Sequence, residues 1–416
     1  MPSSRRLPNP IVSWLLAAVA GVLVLWVSDL LMPPAAAAFA GHGERFQAMT
    51  HDPLALAGEF PQRILWPLLA WACGLAGDRA PLFAQLVNGA FLAVVFWFAR
   101  QRLPTALDAL LATCAVATTG ALLVYKPMAC LSDPLLFLLL LLALHHVRRP
   151  AVFWGLVLLA GFAHEMVFLL APWLLWLRHR EGARLPRELA WLAGVALVFA
   201  GWLAVVRTFG TGTSYGITYY LVSNFWVPWG LPGVWLLLGL EVLVEFGPLL
   251  TVVIWAARTD RLVMGRRGLW LLGGCLLLLA LVAYDVMRFA SFVFVPLLLG
   301  AIELLRERHG RAVLAALVAA AAVTYRLTHP SPVEEGGRAF RHLSGQILGR
   351  FRSDLEAGVT PLSTPANAFG YLRDILTDNL GIAAAAAAGL VAVVLGGFWL
   401  ARYLPGAPRT TQNASP

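Results

Sequence analysis

The stretch AVFWGLVLLAGFAHEMVFLLAPWLLWL, residues 151–177, lies between Val147-Arg148-Arg149-Pro150 and Arg178-His179-Arg180. A spanning helix needs about 20 apolar residues, so the stretch reads at first as one crossing. One crossing would leave a basic cluster on each side of the membrane, whereas short arginine-rich loops stay cytoplasmic. Two short helices, 151–163 and 166–177, remove the conflict. Both basic flanks then face inside, and the chain turns at His164-Glu165, at or just below the outer surface. Each half is short, which predicts a re-entrant bend or one tucked among other helices, where protein rather than lipid satisfies the backbone.

The rest of the chain fits that frame. Of 416 residues, 60% are hydrophobic and 13% charged, about half the charged share of a soluble domain. One soluble core cannot hide that much apolar surface, so the bilayer is the expected partner. The net charge of +9 comes from arginines in short loops, as cytoplasmic retention requires. Without a soluble basic domain, it does not point to nucleic acid. The cysteines Cys73, Cys114, Cys130 and Cys275 form no CxxC pair and read as buried apolar residues rather than a zinc site or a disulfide framework. Arg5-Arg6 ahead of the apolar run 11–32 resembles a signal peptide, but the run is too long for one and more spans follow. It reads as a first transmembrane helix.

Alternating from there gives helices near 81–99, 106–124 and 134–144, the broken pair, and then 189–206. An aromatic external loop, 208–230, follows, and a return segment ends at Arg258. Further helices lie at 268–283, 289–305, 312–324 and 381–401. The fold class expected is all-α, a polytopic transmembrane helical bundle of about 12 segments with both termini cytoplasmic. A transmembrane core covers 1–330, with a first external loop at 33–80 containing a semi-apolar piece at 64–75. An external polar segment, 331–380, includes an amphipathic stretch at 340–355. A last helix and cytoplasmic tail occupy 381–416.

Ionisable groups bordering bilayer segments are costly and by default suggest function. On this topology the outer-face set is His42, Glu44, Asp52, Glu59, Arg63, Lys126, Asp133, Glu165, Asp285 and Arg288. Lys126, the sole lysine, either holds a phosphate as a point charge or snorkels at the interface. Asp285 and Arg288 are spaced to pair within one helical turn; otherwise Arg288 is free to grip a phosphate bidentately. Glu241 and Glu245 share a helix face, and such closeness would raise one pKa, as in a proton relay, unless a basic neighbour or water separates them. His42, His51 and Asp52 include metal-ligating types, but no spacing fixes a geometry. His145, His146 and His179 read as loop residues.

One set of motifs resembles a known class. His42-Gly43-Glu44-Arg45-Phe46-Gln47-Ala48-Met49 through Asp52-Pro53 is followed by Gln62-Arg63-Ile64-Leu65-Trp66-Pro67-Leu68-Leu69-Ala70-Trp71, then Val87-Asn88. Ser132-Asp133-Pro134-Leu135, Ala163-His164-Glu165 and Asp285 to Arg288 come later. In this order, on one face, they resemble the GT-C class of polytopic glycosyltransferases that use polyprenyl-phosphate sugars, and more closely a group of uncharacterised bacterial membrane proteins of that type. The resemblance covers most of the first 300 residues. It implies a GT-C-like bundle in a bacterial inner membrane, with a lipid-linked sugar donor as partner and no nucleic acid; it names no protein partner. It implies a base for the acceptor hydroxyl from His42, Glu44 or Asp52, and phosphate contacts from Arg63, Lys126 or Arg288. Asp133, His164, Glu165 and Asp285 would then line the substrate site. No metal ligand set is assigned, although a divalent metal accompanies the base in some enzymes of the class. The sequence departs from the pattern at His42-Gly43, where such proteins carry an Asp-Gly step. Histidine also takes a proton near neutral pH, but without a carboxylate's charge.

Two other readings remain open: a transporter or flippase, which would place its charges near the bilayer midplane, and a catalytically silent relative. All three rest on sidedness. With the native cysteines replaced, His42→Cys should react with a membrane-impermeant maleimide in intact cells. Labelling only after permeabilisation would reverse the topology and dissolve the outer-face set.

Overall fold

The computed structural model describes residues 10–32, 40–58, 60–123, 125–126, 130–211, 242–243, 246–262, 264–282, 286–328 and 380–404. Among these residues the protein is all-helical. The expected aromatic loop beyond residue 211, Glu59, Glu241, Glu245, Asp285 and the polar segment 331–379 lie outside the described residues.

The helices are α1 (Pro10–Leu31), α2 (Ala40–Met49), α3 (Leu65–Ala72), α4 (Ala80–Arg100), α5 (Ala106–Ala117), α6 (Gly120–Leu123), α7 (Asp133–His145) and α8 (Pro150–Ala163). They continue as α9 (Ala171–Arg180), α10 (Leu185–Phe209), α11 (Leu250–Arg258), α12 (Gly265–Val282), α13 (Val286–Ala290), α14 (Phe294–Leu304), α15 (Gly310–Thr328) and α16 (Leu380–Tyr403). Three helical stretches among the described residues are long and apolar enough to cross a membrane: Pro10–Leu31, Gly77–Arg100 and Leu185–Phe209. Ala106–Ala117, Asp133–His145 and Pro150–Ala163 are shorter apolar helices. Large apolar side chains also face outward, with Leu197 74% and Trp270 81% exposed. A soluble monomer does not present such faces on so many helices, so the chain is membrane-associated.

The expected single helix over 106–124 is a correction. It ends at Ala117, and a separate short turn, α6, follows. The Thr118 hydroxyl donates to the carbonyls of Cys114 and Ala115, and that of Thr119 to Val116. Threonine hydroxyls that bond back to preceding carbonyls compete with the helical ladder.

The 151–177 stretch does reverse. α8 ends at His164, whose backbone is extended (φ −159°, ψ 116°). A 3-10 turn, Glu165–Leu170, then leads into α9. The Phe168 ring lies where a Cβ at Gly161 would stand, 2.5 Å from it, so glycine lets the second limb fold back on the first. Both ends of the stretch meet again: Arg148 pairs with Glu181 at 2.7 Å, and Arg178 donates to the Val147 carbonyl. Buried Arg178 also grips Glu188 of α10 at 2.6 and 2.8 Å, and Trp154 of α8 donates to the same carboxylate. α8 has 14 residues, hence a length of about 21 Å, short of the roughly 30 Å hydrocarbon core.

Arginine loops gather at that same end. Arg306 donates to the Arg102 carbonyl, Arg261 pairs with Glu307, Arg311 pairs with Asp108, and Trp255 of α11 donates to the Leu404 carbonyl beyond α16. Between the two ends lies a dry core around Phe91, Phe137 and Phe294, with ring centroids 5.2–5.9 Å apart.

α1 packs along α4, with Trp14 stacked on Trp97 at 4.8 Å. The backbones approach closely at Gly21, where a Cβ would fall 2.5 Å from the Gly89 carbonyl oxygen and 2.7 Å from the Ala93 nitrogen. Small residues permit this contact between helices in lipid. Gly21→Val should therefore lower stability by about 1–3 kcal/mol, read as a lower thermal midpoint in detergent. Gly89→Ala, whose Cβ meets only Leu25 at 3.9 Å, should leave the midpoint near that of the unsubstituted protein. Equal midpoints for all three proteins would disprove the close approach.

A candidate charge cluster at a helix break

Four separate stretches bring ionisable groups together at the end of the bundle away from the arginine loops. Arg63 precedes α3 in the chain, Asp133 opens α7, His164 and Glu165 form the break between α8 and the 3-10 turn, and Arg288 belongs to α13. Asp133 suits its place because a carboxylate in the first turn faces the positive end of the helix dipole, and Pro134 beside it is pre-set for helix entry.

The pairing is bidentate on both sides. Arg63 Nε and Nη2 donate to Glu165 Oε2 and Oε1 at 2.8 and 2.7 Å. Arg288 Nε and Nη2 donate to Asp133 Oδ1 and Oδ2 at 3.2 and 2.5 Å. Such fork-to-fork pairs fix orientation as well as charge. His164 stands between them. Its Nδ1 accepts the Met166 N–H at 3.3 Å and lies 3.8 Å from Glu165, while Nε2 lies 3.9 Å from Asp133. The ring therefore caps the 3-10 turn and lies between both carboxylates. Arg63 also sits 4.4 Å over the Phe60 ring. Its side chain, like those of Asp133 and His164, is 4% exposed or less. Glu165, at 24%, and Arg288, at 12%, are the members nearest water.

Of the residues singled out in the sequence, five converge: Arg63, Asp133, His164, Glu165 and Arg288. Lys126 does not join them. Its Nζ binds Asp29 of α1 at 2.9 Å, the Ser28 hydroxyl at 2.7 Å and the Met32 carbonyl at 3.2 Å. Burial lowers the Lys126 pKa, and the Asp29 carboxylate opposes that shift. This lysine fastens the loop after α6 to the end of α1 instead of snorkelling. Glu44 is exposed on α2. Asp52 is exposed and accepts the Ala55 N–H, capping a short 3-10 turn. His42 belongs to α2, but its side chain lies outside the described residues, as does Asp285. Arg288 pairs with Asp133, and the expected Asp285–Arg288 pairing lies outside the described residues.

The sequence reading missed Asp29 as the partner of Lys126. An acid near the end of an otherwise apolar helix was its signal. Gln62, quoted in the motif but given no role there, has a backbone carbonyl that accepts from Trp202 of α10 at 3.1 Å. The Gln62 side-chain oxygen is buried without a hydrogen bond among the described residues. No group of three His, Cys, Asp or Glu side chains among those residues is arranged to hold a metal ion.

Fold and site together define a membrane-associated helical protein with a buried network of paired charges at a helix break. The chain matches no protein-family model, no curated protein and no solved structure.

Removing one partner from a buried pair takes away a bidentate, charge-assisted contact. Asp133→Ala should cost about 3–5 kcal/mol, whereas replacing the whole pair, Asp133→Leu together with Arg288→Met, should recover most of it. Unfolding in detergent reads both. An Asp133→Ala protein as stable as the unsubstituted one would show that the pair contributes no net stability.

Proposed function

We propose that the chain is a multi-pass membrane glycosyltransferase of the GT-C type, of about 12 spans, in a bacterial inner membrane. It moves a sugar from a polyprenyl-phosphate donor to an acceptor at the non-cytoplasmic face. The observation that carries the reading is the assembly of Arg63–Glu165, His164 and Asp133–Arg288 from four distant stretches at the end opposite the arginine loops. Buried ion pairs are poor devices for stability, since apolar residues of similar volume do as well or better. Retained at a break in a membrane helix, they suit a site that handles charge.

The chemistry divides as follows. The acceptor hydroxyl needs a base within about 2.6–3.2 Å, supplied by His42, Glu44 or Asp52 on the segment leading to Arg63. The leaving phosphate needs cations as its charge develops. Arg288 and Arg63 supply them, with Asp133 and Glu165 holding the guanidinium planes in place. His164, between both carboxylates, positions the two halves of the site. A divalent metal would sit with the base if the reaction uses one.

A second reading, a catalytically silent relative that still holds a lipid-linked sugar, is favoured by one observation. Arg63, Lys126 and Arg288 each engage a carboxylate of the chain itself.

The test uses protein reconstituted in nanodiscs with a panel of labelled polyprenyl-phosphate sugars and an acceptor mixture. Transfer should occur with at least one donor, and Glu165→Gln should reduce it about a hundredfold, as expected when a preorganised charge is removed. Loss on chelation would bring in the metal. Donor binding without turnover, restored to turnover by His42→Asp, would favour the silent relative. Neither binding nor transfer across the panel would end both readings.

A further inference from the structure

The arginine-rich end of the bundle holds a cavity of about 590 Å³, in the size range of small-molecule sites. Its floor is apolar and comes from four helices: Phe98 of α4, Leu144 of α7, Trp173 and Leu177 of α9, and Val295 and Leu299 of α14. Its walls carry four arginines, Arg102, Arg148, Arg149 and Arg180, with His145 and His146, against the single carboxylate Glu181.

The arginines are not equivalent. Arg148 pairs with Glu181. Arg102 donates to the Phe98 carbonyl and stacks 3.5 Å over the Phe98 ring. Arg149 and Arg180 are exposed, and neither side chain pairs with a carboxylate among the described residues. The buried Trp173 ring, 0% exposed, backs the apolar side of the cavity. Cytoplasmic retention accounts for arginines at this end, but not for a cavity that sets two carboxylate-free guanidinium groups beside an apolar lining from four helices.

We propose that this cavity binds a phosphate ester, its phosphoryl group between Arg149 and Arg180 and its apolar portion against Leu177, Val295 and Leu299. Guanidinium forks match phosphate oxygens bidentately. A phosphoryl group alone leaves most of the volume empty, and the floor has no charge to satisfy. The site is separate from the charge cluster at the other end. α7 carries Asp133 at its start and His145 at its end, about 18 Å apart at 1.5 Å per residue. The proposal therefore stands or falls independently of the glycosyltransferase reading.

Native mass spectrometry of the full chain in detergent tests it with three probes: oleoyl lysophosphatidate, glycerol 3-phosphate and monooleoylglycerol. Lysophosphatidate should bind, about tenfold or more weakly in the Arg149→Ala/Arg180→Ala protein and in Leu299→Trp, which fills the floor. The Arg187→Ala/Arg308→Ala protein loses equal charge from exposed positions outside the cavity and should bind as the unsubstituted chain does. Glycerol 3-phosphate binding with equal affinity and the same variant dependence would keep the phosphate assignment and make the source a soluble ester. Monooleoylglycerol binding equally well, equal weakening by the control variant, or no lysophosphatidate binding would overturn the proposal.

Discussion

The Arg63–Glu165 pair is the contact on which the end of the bundle away from the arginine loops depends. An interrupted helix in a membrane protein must satisfy its freed backbone groups from within the protein. Here His164 receives the Met166 N–H, and the next residue brings a carboxylate to the same spot. A carboxylate there is costly unless paired and hydrogen-bonded. Arg63, held against Phe60, meets both oxygens and so fixes the segment before α3 to the turn of the α8–α9 hairpin. Through His164 the arrangement reaches Asp133, and through Asp133 it reaches Arg288. A single local choice, to break a helix at an acidic residue, thereby sets the positions of α7 and α13.

The hairpin was legible in the sequence because charge statistics and length conflict at one place. A continuous span over 151–177 would have put arginines on both sides of the membrane. The break at His164-Glu165 follows from that conflict alone, and the meeting of Arg148 with Glu181 is its geometric consequence. Less legible were the interruption after Ala117, which depends on how threonine hydroxyls orient in context, and the contact of Arg288 with Asp133. Local spacing points only to Asp285, which lies outside the described residues, whereas Asp133 lies far away in the chain and close in space. Sequence spacing identifies candidates within one turn but carries no signal for a contact made through tertiary packing.

Lys126 shows the same limit from another side. A lone lysine on the outer face suggests a phosphate holder or a snorkelling anchor. Its ammonium is instead enclosed by Asp29, Ser28 and the Met32 carbonyl. The determining fact is that α1 lies along α4 closely enough to bring its last turn over the loop after α6. That closeness comes from glycine at position 21, a residue with no charge and no motif. The role of a charged side chain is here decided by a small one, a turn or more away on the same helix.

The charge network constrains any chemistry placed at it. A guanidinium held bidentately by a carboxylate is rigid and partly neutralised. It suits stabilisation of charge that appears during a reaction better than capture of an ion from water, because preorganised dipoles need no rearrangement when the charge develops. Arg149 and Arg180, at the other end of the bundle, have the opposite character: exposed, outside any carboxylate pair among the described residues and beside an apolar floor. They suit capture. One helical protein thus carries its arginines in two physical states, paired and buried at a helix break, or solvated at a cavity mouth. The difference follows from whether a carboxylate from another helix can reach them.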